Sequence, residues 1–159
     1  MTDQTVDCVA QCAVNLTKEE LNQITRDVHQ TLIHPKGNEL YANYLAVSPD
    51  RLKCLEIYNT CSKYLNKEQN QSTKENLSTD SLQSLFTKVE RLEETVSNID
   101  VPELDLDLMK KFKNALKEEK TREALLTVLD ETKTRCQLSL SGKIHEHFTN
   151  HIISRYRSS

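Results

Sequence analysis

The sequence predicts an all-α domain, and three observations carry that prediction. The 159 residues include only two glycines and three prolines, whereas a β fold needs turn residues every ~8–12 positions. Apolar residues recur at i, i+3, i+4 and i+7 in one segment after another, the repeat of a helix with one buried face. Charged residues make up 28% of the chain and aromatic residues 5%, the balance of a helical domain with a solvated outer surface. The length suits one domain with a core of its own. The expected division is a flexible tail over residues 1–15, a single helical domain over 16–153 and a short basic tail over 154–159.

The N-terminal residues are small and polar, with Cys8 and Cys12 four apart. On a helix those thiols share one face. Two readings stay open: S-acylation, which would hold the chain peripherally on a membrane, and a plain tail or short helix leaning on the body. No Lys or Arg precedes Lys18 to attract acidic lipid. Residues 16–33 are expected to form one helix. Asn15 or Thr17 caps it, Glu19 and Glu20 fill its first turn, and Leu16, Leu21, Ile24, Val28 and Leu32 make the buried stripe. Pro35 stops it. His29 and His34 are expected as solvated or core histidines.

The chain is organised around residues 34–64, which hold four of the five tyrosines. Pro35 and Gly37 predict a turn. A helix follows with Leu40, Tyr41, Tyr44 and Leu45 on one face. Ser48 is a good N-cap and Pro49 a good first helical residue. The next helix buries Leu52, Leu55 and Tyr58, with Cys54, Ile57, Cys61 and Tyr64 beside them. Residues 66–81 are polar and read as a loop or an exposed helix end. Ser78, Thr79 or Ser81 opens a helix with Leu82, Leu85, Phe86, Val89, Leu92 and Val96 inward. Its Lys88, Glu90, Arg91, Glu93 and Glu94 read as a solvated face.

Pro102 forbids a continuous helix through residues 97–105. Leu106, Met109, Phe112 and Leu116 make another amphipathic segment. Thr121 caps a helix that runs through Leu125, Leu129, Cys136, Leu138 and Leu140, and Gly142 breaks it. Ile144, Phe148, Ile152 and Ile153 finish the fold.

Composition and motifs exclude several functions. A net charge of −3 gives no basic field for nucleic acid. No apolar run is long enough to span a bilayer, and no signal-peptide pattern opens the chain. Five cysteines without a repeating spacing suggest no disulfide framework, so reduced thiols and a cytoplasmic location are expected. There is no glycine-rich phosphate loop, no G-x-S-x-G and no H-E-x-x-H, so no catalytic centre is expected. His147 and His151 stand at i, i+4 with His145 nearby, a spacing that can share a metal. A third ligand would have to come from elsewhere, and Glu146 faces another way. No metal or cofactor is expected, which leaves a module that acts by binding another protein.

Four segments resemble the regulator of G-protein signalling (RGS) domain. GNELYANYL is similar to that family's G-x-x-x-[FY]-x-x-[FY]-L helix. LEIYNTCSKY resembles its L-x-F-W-x-x-C-x-x-Y helix, with Tyr58 at the tryptophan position. SLFTKVERLEETVSNID resembles the next helix and its V-N-[IL]-D loop, here Val96, Ser97, Asn98, Ile99 and Asp100. HEHFTNHI stands where the family has a Y-x-R-F-L-like segment. The order and spacing match across residues 34–153.

The resemblance implies an all-α, RGS-like bundle of about seven to nine helices with a four-helix bundle at one end. It implies a Gα subunit as partner, whose GTP hydrolysis such domains speed by holding its switch regions, without a catalytic group of their own. The family's loop asparagine, which touches the Gα catalytic glutamine, matches Asn98, and the aspartate two positions on matches Asp100. Asn98 is then expected near Arg51 and Lys53. Lys53 and Cys54 stand where the family has a Glu-Asn pair, so an acceptor and an amide are lost and a positive charge appears. The late Asp and Arg of the Gα surface fall near Lys143 and His147. Changed contacts on a kept scaffold imply weak or absent acceleration. The alternative is an RGS-fold scaffold, like domains resembling axin or the receptor-kinase RGS-homology domains, that binds another protein or peptide.

Overall fold

The structure, a computed structural model, describes residues 15–71 and 79–157, and for residues 71, 79 and 80 the backbone alone. The expected N-terminal tail with Cys8 and Cys12 lies outside these residues except for Asn15, as do residues 72–78 of the stretch expected as a loop or an exposed helix end. The described residues form eight α-helices and no strand. They divide into two compact units, one drawn from Met1–Leu52 and Leu140–Ser159, the other from Lys53–Ser139.

The first unit joins both ends of the described chain. Its helices are α1 (Lys18–Ile24), α2 (Val28–Ile33), α3 (Pro35–Tyr44) and, from the far end of the sequence, α8 (Lys143–Arg157). Thr17 and Glu20 make a reciprocal capping box at the start of α1. The single helix expected over residues 16–33 is two helices. Thr25 turns its hydroxyl onto the Leu21 carbonyl at 2.7 Å. Asp27 is extended and accepts the Gln30 N–H at 2.7 Å, so it caps a new helix where the apolar stripe alone suggested continuity. The expected turn at Pro35 and Gly37 is also absent. Pro35 is the first residue of α3, where its missing N–H costs nothing, and His34 Nδ1 accepts from the Lys36 and Gly37 N–H groups.

Gly37 is buried in the first turn of α3, and a Cβ there would lie 2.6 Å from the Thr31 carbonyl oxygen. The core of this unit is aromatic. Tyr41 stacks on Phe148 at 4.5 Å between ring centres and donates its hydroxyl to the Leu140 carbonyl at 2.6 Å. Both rings have 0% of their surface exposed. α8 runs on to Arg157, past the expected end at Ile153, and keeps Tyr156 half-buried.

A 3₁₀ turn (Leu45–Val47) leads to α4 (Pro49–Gln71), whose first turn belongs to the first unit and the remainder to the second. α4 continues through Gln71, so the first part of the stretch expected as a loop or an exposed helix end is a helix end. The second unit adds α5 (Thr79–Ser97), α6 (Leu106–Lys113) and α7 (Arg122–Ser139). Cys54, Leu55, Tyr58 and Cys61 from α4, Leu85 and Val89 from α5, Phe112 from α6 and Leu125, Leu129 and Cys136 from α7 are buried there. Burial of Tyr58 and Phe148 was expected because the resemblance puts them at large aromatic positions, and they are 2% and 0% exposed.

α6 does not stop at Lys113 but widens into a π-helical turn over Asn114–Glu119, closed by the Lys120 N–H on the Ala115 carbonyl at 3.0 Å. The wider turn buries Ala115 and Leu116 together and leaves Lys120 with φ +55°. Thr121 then caps α7 through the Ala124 N–H at 3.1 Å. Gly142, at φ +78°, makes the break expected of it before α8. Leu106 and Leu138 depart from their expected inward places at 80% and 58% exposure.

Candidate functional site

α4 and α5 pair along a groove of about 390 Å³ in the second unit. From α4 it takes Lys53, Glu56, Ile57, Thr60 and Tyr64, and from α5 Lys88, Arg91, Leu92, Thr95 and Asn98. Each set follows the i, i+3, i+4, i+7 row of one helix face. Ile57 and Leu92, at 3% and 5% exposure, form the floor. The rim is basic: Lys53, Lys88 and Arg91 face one carboxylate, Glu56. Lys88 Nζ lies 5.2 Å from the centre of the Tyr64 ring. Burial and the neighbouring Lys67 lower the pKa of the Lys88 ammonium, and Lys63 adds to the lowering. Such a rim attracts acidic groups and repels basic ones.

Asn98 sits at the end of α5. Its side-chain N–H caps the Glu94 carbonyl at 3.0 Å and its backbone N–H reaches the Thr95 carbonyl at 3.2 Å. The cap orients the amide and leaves its oxygen free of this duty. In the loop that follows, burial alternates. Asn98 and Asp100 are exposed, while Ile99 and Val101 are each 6% exposed and pin the loop to the unit.

The structure brings two of the residues singled out by sequence, Lys53 and Asn98, onto this one groove. Asp100 is exposed in the loop beside it. Cys54 is placed differently. It has 0% exposure, and its thiol is hydrogen-bonded to that of Cys136 on α7, so it offers no atom to a partner at the surface. That hydrogen bond, with burial, raises the Cys136 pKa, and burial pushes the Cys61 thiol up to about 12. All three thiols are unbridged. Arg51, half-buried in the first turn of α4, and Lys143 and His147, exposed on α8, belong to the other unit.

The histidines of α8 separate in role. His145 is buried with Nε2 2.7 Å from the Thr31 hydroxyl, and His151 lies 5.5 Å from Tyr44 between ring centres, whereas His147 is exposed. Among the described residues no group of three His, Cys, Asp or Glu side chains could hold a metal.

Several important residues escaped sequence reasoning. Lys88 and Arg91 were expected only as solvated charges, yet their spacing with Leu92, Thr95 and Asn98 is that of one face and could have separated them from Glu90, Glu93 and Glu94. Arg135 carried no local signal. It binds Asp105 at 2.6 Å, Asp107 at 2.8 Å, Glu131 at 3.0 Å and the Glu103 carbonyl at 3.2 Å. Glu68, 5% exposed, pairs with Arg122 and ties the end of α4 to the start of α7. Among the described residues no helix is long and apolar enough to cross a membrane. No family model, no curated protein and no solved structure matches this chain.

Proposed function

We propose that this chain is a divergent RGS-like domain that regulates heterotrimeric G-protein signalling in the cytoplasm by binding a Gα subunit. One observation carries the reading: Lys53 and Asn98, which the resemblance selects from distant parts of the sequence, line the same groove. The fold adds support, since the four helices α4 to α7 group in one unit, as the four-helix bundle implied by the resemblance would. The domain supplies no catalytic group. It acts by positioning, with the amide of Asn98 against the partner's catalytic glutamine. Holding a partner's groups in their reactive arrangement lowers its barrier without new chemistry.

The basic rim weighs on the strength of this action. Lys53 replaces an acidic family residue, and the buried Cys54 replaces an exposed amide. Both changes favour a second reading, an RGS-fold scaffold whose groove takes an acidic protein or peptide without touching hydrolysis. Single-turnover GTP hydrolysis on a panel of Gα subunits, with binding measured in parallel, separates the two. Weak acceleration is expected, lost in Asn98→Ala while the melting curve stays cooperative. Binding without acceleration leaves the scaffold, and binding to no Gα at all defeats the G-protein reading.

A further inference from the structure

A second groove lies on the other side of the α5 terminus, and nothing in the proposed Gα binding uses it. It has a volume of about 920 Å³ and runs between α5, the loop after it and α6. Its floor is apolar, formed by Val96, Ile99, Val101 and Leu104, with Met109 half-buried and Leu106 80% exposed at its edge. A leucine this exposed beside a continuous apolar trough marks a surface that gains by being covered. Three carboxylates of α5, Glu90, Glu93 and Glu94, stand along one wall. Lys113 is the one basic residue among those lining the groove. Arg135 does not neutralise the wall, because its donors go to Asp105, Asp107 and Glu131. None of the ion pairs among the described residues involves Glu90, Glu93 or Glu94. One carboxylate oxygen each of Glu93 and of Glu103, in the adjoining loop, is shielded from water and has no hydrogen-bond partner among the described residues. Such oxygens carry an uncompensated desolvation cost that a cationic donor would offset.

We propose that this groove is the docking site for a basic amphipathic helix of a partner protein. The apolar trough would take the i, i+3, i+4, i+7 anchors of such a helix. Glu90, Glu93 and Glu94 would receive lysines or arginines flanking those anchors, and Glu90 and Glu94, one turn apart on α5, match the ~6 Å rise between i and i+4 on the incoming helix. The same carboxylates repel an acidic membrane surface, which excludes anionic lipid as the occupant. The two grooves thus carry opposite charge on opposite sides of one helix end, so one domain can hold an acidic and a basic surface at once.

The test uses the full chain and a fluorescein-labelled synthetic helix with leucine at the anchor positions and lysine elsewhere. A second peptide carries glutamate in place of lysine. The lysine peptide is expected to bind with salt-sensitive affinity and to shift amide resonances of residues 90–109, and the glutamate peptide not to bind. Leu106→Asp and the pair Glu90→Lys with Glu94→Lys are each expected to weaken binding about tenfold or more. These side chains are exposed, so the variants keep the fold. Glu56→Lys, in the basic groove, is expected to change nothing. Equal binding to all variants, shifts confined to another face, or no binding at millimolar peptide overturns the proposal. Self-association of the wild-type chain, lost in Leu106→Asp while peptide binding is unchanged, also overturns it in favour of a second copy as the occupant.

Discussion

His145 shows how one buried side chain can set a pH response. Thr31 donates its hydroxyl to the Ile24 carbonyl at 2.6 Å and so accepts from His145 Nε2, a bond that the neutral Nε2–H tautomer and the charged ring can both make, so burial alone favours the neutral form. Burial lowers the pKa of His145 from its usual 6.5, and Asp27 opposes this more weakly. The unfolded chain therefore takes up the proton first. The stability from the neutral ring is complete above about pH 6.5 and is lost as the pH falls from there through the lowered folded value. His151, lowered by burial and by Arg155, acts in the same direction. The midpoint of urea unfolding is expected to fall between about pH 7.5 and 5, and less so in His145→Gln. A flat profile in the wild-type chain would refute this account. Gly37 gives a test of packing against propensity. Alanine would gain about 1 kcal/mol of helix propensity. Its Cβ would meet a backbone oxygen at 2.6 Å and two carbons of Ile24 at 3.2 Å. Overpacking of that kind costs about 1–3 kcal/mol, and a backbone oxygen does not swing aside. Gly37→Ala is expected to destabilise, and a higher urea midpoint would show that α2 and α3 can separate cheaply.

Between elements, the second unit is tied by polar contacts whose partners are remote in sequence. Arg135 on α7 reaches the loop before α6 and the first turn of α6 itself, while Lys111 on α6 returns to Glu131 at 3.1 Å. Asp105 caps α6 through the Leu108 N–H at 3.1 Å, and this bond first, then the Arg135 guanidinium, holds its pKa down. A single exposed ion pair is worth ~0–1 kcal/mol. Here one planar guanidinium makes four hydrogen bonds with its side chain 15% exposed, so it contributes more than a lone pair. Lysine cannot reproduce that fork. Arg135→Lys is expected to cost about 1–2 kcal/mol in urea unfolding. Hydrogen exchange should locate the loss in residues 103–113, and a loss spread evenly over the second unit would count against the tie.

At the scale of the whole molecule the question is how charge chooses partners. The chain is nearly balanced at −3, yet its two grooves are not: Lys53, Lys88 and Arg91 rim one, Glu90, Glu93 and Glu94 the other. Lys53 is exposed, so Lys53→Glu reverses one charge of the basic groove without touching the core. It is expected to raise single-turnover hydrolysis on Gα about tenfold over whatever the wild-type chain gives. Restoring the family's amide as well, by Cys54→Asn, is unsuitable, because it would bury an amide where Cys54 now meets Cys136. No change with Lys53→Glu, alongside measurable Gα binding, would favour the scaffold.

The helical class and most helix positions were legible in the sequence because they rest on local rules. Apolar periodicity placed the buried faces, Thr17, Thr121 and Gly142 marked ends, and the scarcity of turn residues excluded sheet. Asn98 and Lys53 were singled out through the resemblance, since each lies in or beside a segment that carries it. The places where sequence reasoning failed are those where a local signal had two meanings. Asp27 could be an exposed charge or a cap, Pro35 a stop or a first residue, and Cys54 a surface position or part of the core. Only tertiary structure decided these, and only it gathered Arg135, Glu68 and Thr31 to their partners. A helix face is set by residues three and four apart, but what that face meets depends on a different helix many residues away.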